Sequence, residues 1–75
     1  MNKSRLKNIS DIIGSMNEIE DKLVYILNDE NDSYDNMTEG LQCSKQGERS
    51  ENAIDNLEEA IESLRSSKEF LIEIE

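Results

Sequence analysis

Proline, histidine and tryptophan are absent from this 75-residue chain, and cysteine occurs once. Each absence removes a possibility. Without proline, long uninterrupted helices are possible. Without histidine, the usual general base near neutral pH and the commonest metal ligand are missing. Cys43 has no disulfide partner and no second thiolate for a zinc site, and a lone thiol suits a reducing compartment. No apolar run approaches the ~20 residues of a membrane span. Lys3, Arg5 and Lys7 near the start are not followed by the apolar core of a signal peptide. Cations are also scarce, with eight Lys and Arg against eighteen Asp and Glu and a formal net charge of −10. A chain so acidic lacks the cationic face that displaces counterions from nucleic acid or anionic lipid, and is steered toward basic partners instead. A cytoplasmic protein with no cofactor, no metal, no direct nucleic-acid contact and no membrane contact is expected.

What the chain does have is helical periodicity. With Ile9 at heptad position a, Ile9, Met16 and Leu23 share row a, Ile12, Ile19 and Ile26 share row d, and Leu6, Ile13 and Leu27 share row e. This is the broad apolar face of a core helix, wider than the seam of a simple coiled coil. Val24 and Tyr25 lie off it. Gly14 falls on the outer face, where it weakens the helix by about 1 kcal/mol relative to alanine. A second stripe begins after residue 50. Ile54 and Ile61 occupy row a, Leu57, Leu64 and Leu71 row d, and Ala53, Ala60 and Ile74 row g, with Phe70 and Ile72 widening the end. Glu58, Glu59, Glu62, Arg65 and Glu69 lie between and belong in water.

The stretch Asn28–Gly47 is rich in Asn, Asp, Ser, Thr and Gly, which compete with the helical backbone and favour caps and turns. Tyr34, Met37 and Leu41 continue the first stripe, so the first helix is expected to run from about residue 3 to 36. A joint follows at about 37–44, with Thr38 capping a short turn and Ser44 capping a second long helix over about 45–74. The predicted fold is a single all-α domain, 1–75, built as an antiparallel two-helix hairpin. Antiparallel packing is expected to bring Lys3, Arg5 and Lys7 against Glu69, Glu73 and Glu75. Two faces this broad need more than one neighbour, so the hairpin is expected to pair as a homodimer into a four-helix bundle. Its core or dimer interface would comprise Ile9, Ile12, Ile13, Met16, Ile19, Leu23, Ile26, Leu27, Ile54, Leu57, Ile61, Leu64 and Leu71.

Chemistry-bearing arrangements are few. Residues 28–39 carry several side-chain oxygens in the manner of a calcium loop, but either register lacks the sixth-position glycine, and one also lacks the closing glutamate. A polar helix end is the reading that fits. Cys43 has only Lys45 nearby and no base to activate it. Paired carboxylates are abundant, but three aromatics on two thin helices provide no concave substrate pocket. An enzyme is not expected. The acidic faces read either as ordinary solvated surface or as an imitation of nucleic-acid phosphates offered to a basic groove. Val24, Tyr25, Glu58, Glu59 and Glu62 are the candidate partner surface. For Val24 and Tyr25, scattered exposure is the competing reading.

The run Asn36-Met37-Thr38-Glu39-Gly40-Leu41-Gln42, then Ser44, Gly47-Glu48 and Ala53-Ile54-Asp55-Asn56-Leu57-Glu58-Glu59-Ala60-Ile61, resembles short acidic proteins of prophages and mobile elements in Gram-positive bacteria. The resemblance covers roughly residues 20–75. Those relatives often carry proline where Thr38 stands. It implies an accessory protein in a bacterial host cell that binds host or defence proteins, and it transfers no functional residue. The expected function is therefore non-catalytic: modulation or inhibition of a host protein, with a basic nucleic-acid-binding groove as one form of target. The alternative is a structural or assembly component that acts through helical self-association.

Overall fold

The computed structural model describes all 75 residues as three helices and no strand. They are α1 (Lys3–Asp35), α2 (Glu39–Gln42) and α3 (Lys45–Ile74). Each begins on a short polar side chain that accepts a hydrogen bond from an otherwise unpaired amide of the first turn. Asn2 caps α1 by accepting from Arg5 N–H at 2.8 Å. Thr38 caps α2 by accepting from Leu41 N–H at 3.3 Å. Ser44 caps α3 by accepting from Gly47 N–H at 3.4 Å, and its hydroxyl also donates to the Leu41 carbonyl.

The polar run after Asn28 ends α1 without a proline. Asn28–Asp35 remain helical, so their oxygens radiate from the final turns. At the corner, the Gln42 amide donates to the Tyr34 carbonyl at 3.0 Å, tying α2 back to α1. Gly47 is buried where α3 passes over α2. A Cβ there would overlap the backbone of Gln42. No residue in the chain has a positive φ, so Gly47 serves close approach rather than an unusual conformation.

The long helices pack antiparallel. Three hydrogen-bonded pairs across the hairpin, Asn17 with Lys68, Glu20 with Arg65 and Tyr34 with Glu51, have residue numbers that sum to 85, and Glu30 with Ser50 (80) and Glu20 with Lys68 (88) lie within about one turn on either side of that offset. That offset brings rows a and e of α1 (Ile9, Ile13, Met16, Leu23, Leu27) against rows a and d of α3 (Ile54, Leu57, Ile61, Leu64, Leu71). All of these are half-buried except Ile61, which is buried at 4 % exposure. Ile61 is the only buried apolar side chain in the molecule. The whole measures 58 × 15 × 13 Å, one helix thick, and a layer that thin encloses almost nothing.

The same offset corrects an expectation about charge. Residue 10 falls level with Glu75, so Lys3, Arg5 and Lys7 extend past the end of α3 and do not meet Glu69, Glu73 and Glu75. The two ion pairs in the structure both belong to Glu20, with Lys68 and with Arg65.

Candidate functional site

The two edges of the hairpin differ in chemistry. One edge is polar and internally bonded. Rows b and e of α1 supply Asn17, Glu20 and Tyr34 there, and rows a and e of α3 supply Glu51, Arg65 and Lys68. Lys68 Nζ donates to Glu20 Oε1 at 2.9 Å and to Asn17 Oδ1 at 2.8 Å, while Arg65 Nε donates to Glu20 Oε2 at 3.3 Å. The Lys68 bond holds the Glu20 carboxyl below its ordinary value against the opposing effect of partial desolvation, and the Arg65 bond adds a lesser pull in the same direction as Lys68. The Tyr34 hydroxyl donates to Glu51 Oε1. That bond, with desolvation, pushes the phenol above its ordinary value, because ionisation would set a phenolate against a carboxylate. Within the seam, Ser50, 4 % exposed, donates to Glu30 Oε1 at 2.7 Å.

Sequence spacing gave no direct pointer to this network, although a faint signal existed. Glu20 interrupts row e of α1 between Ile13 and Leu27, and Lys68 interrupts row a of α3 after Ile54 and Ile61. One acid and one base sit within otherwise apolar rows, at levels that a hairpin brings together.

Val24, which lies off the main stripe by spacing, is half-buried and lines a groove on the polar edge with Leu27, Glu58, Ile61, Glu62 and Arg65. Row b turns inward there because α3 packs on rows a and e. Tyr25 is 71 % exposed and borders a shallow depression with Asp21, Lys22 and Ile26. Glu58, Glu59 and Glu62 are all exposed. Cys43 is exposed at the tip of the hairpin.

The other edge carries row d of α1 and row g of α3. Ile12, Ile19 and Ile26 stand 49 %, 49 % and 51 % exposed at seven-residue intervals. Beside them run Ala60, Ser67 and Ile74 of α3, all exposed, with Phe70 adjoining. Among residues 12–26, rows d and g carry no acid.

From the polar edge round its outer face, α3 is acidic. Glu48, Asp55, Glu62 and Glu69 repeat every seventh residue of α3, and Glu51, Glu58, Glu59 and Glu73 flank them, all exposed. Of the eighteen acids only Glu20 has a cation within ion-pair distance. No three acidic or thiol side chains converge as a metal-binding group, and no helix is long and apolar enough to cross a membrane. Comparison of the chain with protein-family models, with curated proteins and with solved structures finds no match.

Proposed function

We propose that this protein is a non-catalytic interaction module. Two hairpins pair into a four-helix bundle in the bacterial cytoplasm, and the bundle offers its acidic α3 faces to a basic host or defence protein, whose activity it modulates or inhibits. The observation that carries this reading is the unneutralised ridge on α3. Eight carboxylates span Glu48 to Glu73, about one charge per 5 Å at the helical rise of about 1.5 Å per residue. Duplex DNA presents one charge per about 1.7 Å and a single strand one per about 3.4 Å. The ridge is too sparse to imitate a duplex and lies nearer a single strand, so the target surface that fits is a basic groove sized for one strand. The resemblance to prophage and mobile-element proteins supports the setting.

The test is capture of a partner from a Gram-positive host at low and high salt, using wild type and the triple variant Glu58→Lys/Glu59→Lys/Glu62→Lys. The expected result is a basic protein retained at low salt, released at high salt and lost with the variant while helicity persists. Equal capture by the variant would remove the acidic ridge from the mechanism. A second reading, an assembly component acting through apolar faces alone, is favoured by the exposed isoleucines of row d. It predicts capture that is indifferent to salt and to these three substitutions.

A further inference from the structure

We infer that the edge carrying Ile12, Ile19 and Ile26 of α1 docks on the same edge of a second copy, antiparallel, with the two-fold axis at Ile19. The inference rests on the pairing proposed above and assigns its face and register.

Three observations carry it. The first is sidedness. The polar edge has satisfied its cations, since Arg65 and Lys68 are both bonded to Glu20. The opposite edge leaves three isoleucines about half exposed and is free of acids through its middle. On a chain of net charge −10, this is the stretch where two copies approach without setting carboxylate against carboxylate. A basic partner gains nothing from it.

The second is register. Ile19 is the midpoint of α1, which runs from Lys3 to Asp35. A two-fold axis there overlaps α1 along its whole length and places Ile12 opposite the partner copy's Ile26. Continued one heptad outward, row d reaches Arg5 at one end and Ser33 at the other, with Asp29 and Asp32 beside Ser33. The antiparallel arrangement therefore lays Arg5, which overhangs α3 in the single hairpin, near Asp29 and Asp32 of the second copy, while Lys3 and Lys7 fall in rows b and f on the far side of α1. Parallel pairing would set Arg5 on Arg5 and Asp29 on Asp29. Shape follows the same rule. Phe70 and Ile74 thicken one end of the edge, Ala53 and Ala60 thin the other, and reversing one copy puts bulk over the small residues.

The third is area. A face of 58 × 15 Å offers a footprint of at most about 870 Å² per copy, against about 800 Å² per partner in a stable interface. Closed two-fold pairing of one patch with itself consumes the patch and leaves no open end to polymerise.

The experiment is disulfide trapping in a Cys43→Ser background, beside sedimentation of the wild type. Sedimentation is expected to give a dimer. Ile19→Cys, on the axis, is expected to cross-link to itself about tenfold faster than Ile12→Cys alone or Glu62→Cys on the polar edge, because only there do equivalent Cα atoms come within disulfide reach. Mixed Ile12→Cys and Ile26→Cys chains should join to each other. Ser15→Cys mixed with Lys22→Cys, both exposed on the same edge, repeats that arm without touching an isoleucine. A dimer in which Ile12→Cys self-links as fast as Ile19→Cys overturns the antiparallel register. Fastest linking through Glu62→Cys overturns the face while leaving the pairing intact. A wild-type monomer overturns both.

Discussion

Gly14 and Gly47 are both helical, yet a methyl group acts on them in opposite directions. Nothing lies within 4 Å of a Cβ built on Gly14, so Gly14→Ala gains helix propensity and should raise stability by about 0.5–1 kcal/mol in thermal unfolding. At Gly47 the same methyl meets the Gln42 backbone, and Gly47→Ala should lower stability by about 1–3 kcal/mol, the usual cost of overpacking. The titrating pair Glu20 and Tyr34 can be separated by pH. Glu20 has a lowered folded value. Its contribution is present above the usual carboxylate value of about 4.3 and is lost as pH falls through the folded value. Tyr34 has a raised folded value. Its contribution is intact below about 10 and is lost as pH rises through the folded value. In pH-dependent unfolding, Lys68→Met should therefore flatten the acid limb and Tyr34→Phe the alkaline limb, each leaving the other unchanged.

At the level of elements, the corner between α1 and α3 depends on caps rather than on a rigid residue. Ser44 both accepts from Gly47 and donates to Leu41, and Ser44→Ala should cost about 1 kcal/mol, measured by chemical denaturation. The long helices and the capping roles of Thr38 and Ser44 are readable from the sequence, because apolar spacing and short polar side chains are local signals. Two things are not local. The stripe on α1 spans rows a, d and e, wider than one neighbour can cover, and spacing alone does not say which two rows face α3. The structure turns a and e inward and leaves Ile12, Ile19 and Ile26 outward. The charge partners also depend on the offset between helices, which the corner at α2 sets. A different corner would have brought Lys3 within reach of Glu73; this one gives Glu20 to Lys68 and Arg65. The same dependence hides the Tyr34–Glu51 and Glu30–Ser50 bonds, which join residues far apart in sequence and ordinary in composition.

The molecule as a whole carries ten uncompensated negative charges on a layer with one buried apolar side chain. Self-repulsion opposes the compact state and is screened by salt, the Debye length falling from about 8 Å at 0.15 M to about 4 Å at 0.5 M. Raising salt over that range should therefore raise the melting temperature while weakening capture of a basic partner, two opposite responses from one titration. If the bundle forms, the melting temperature should also climb with protein concentration, because association stabilises only the folded chain. The single thiol has a use of a different kind. Cys43 is exposed at the tip of the hairpin, so one spin label or dye placed there reports on the geometry of the native sequence with no engineered residue. Tips at opposite ends of the pair lie roughly 50–60 Å apart at about 1.5 Å per helical residue. Tips side by side lie about 10–20 Å apart, near the spacing of packed helices. A resonance-energy or dipolar distance read between the two labels is thus a ruler already built into the chain.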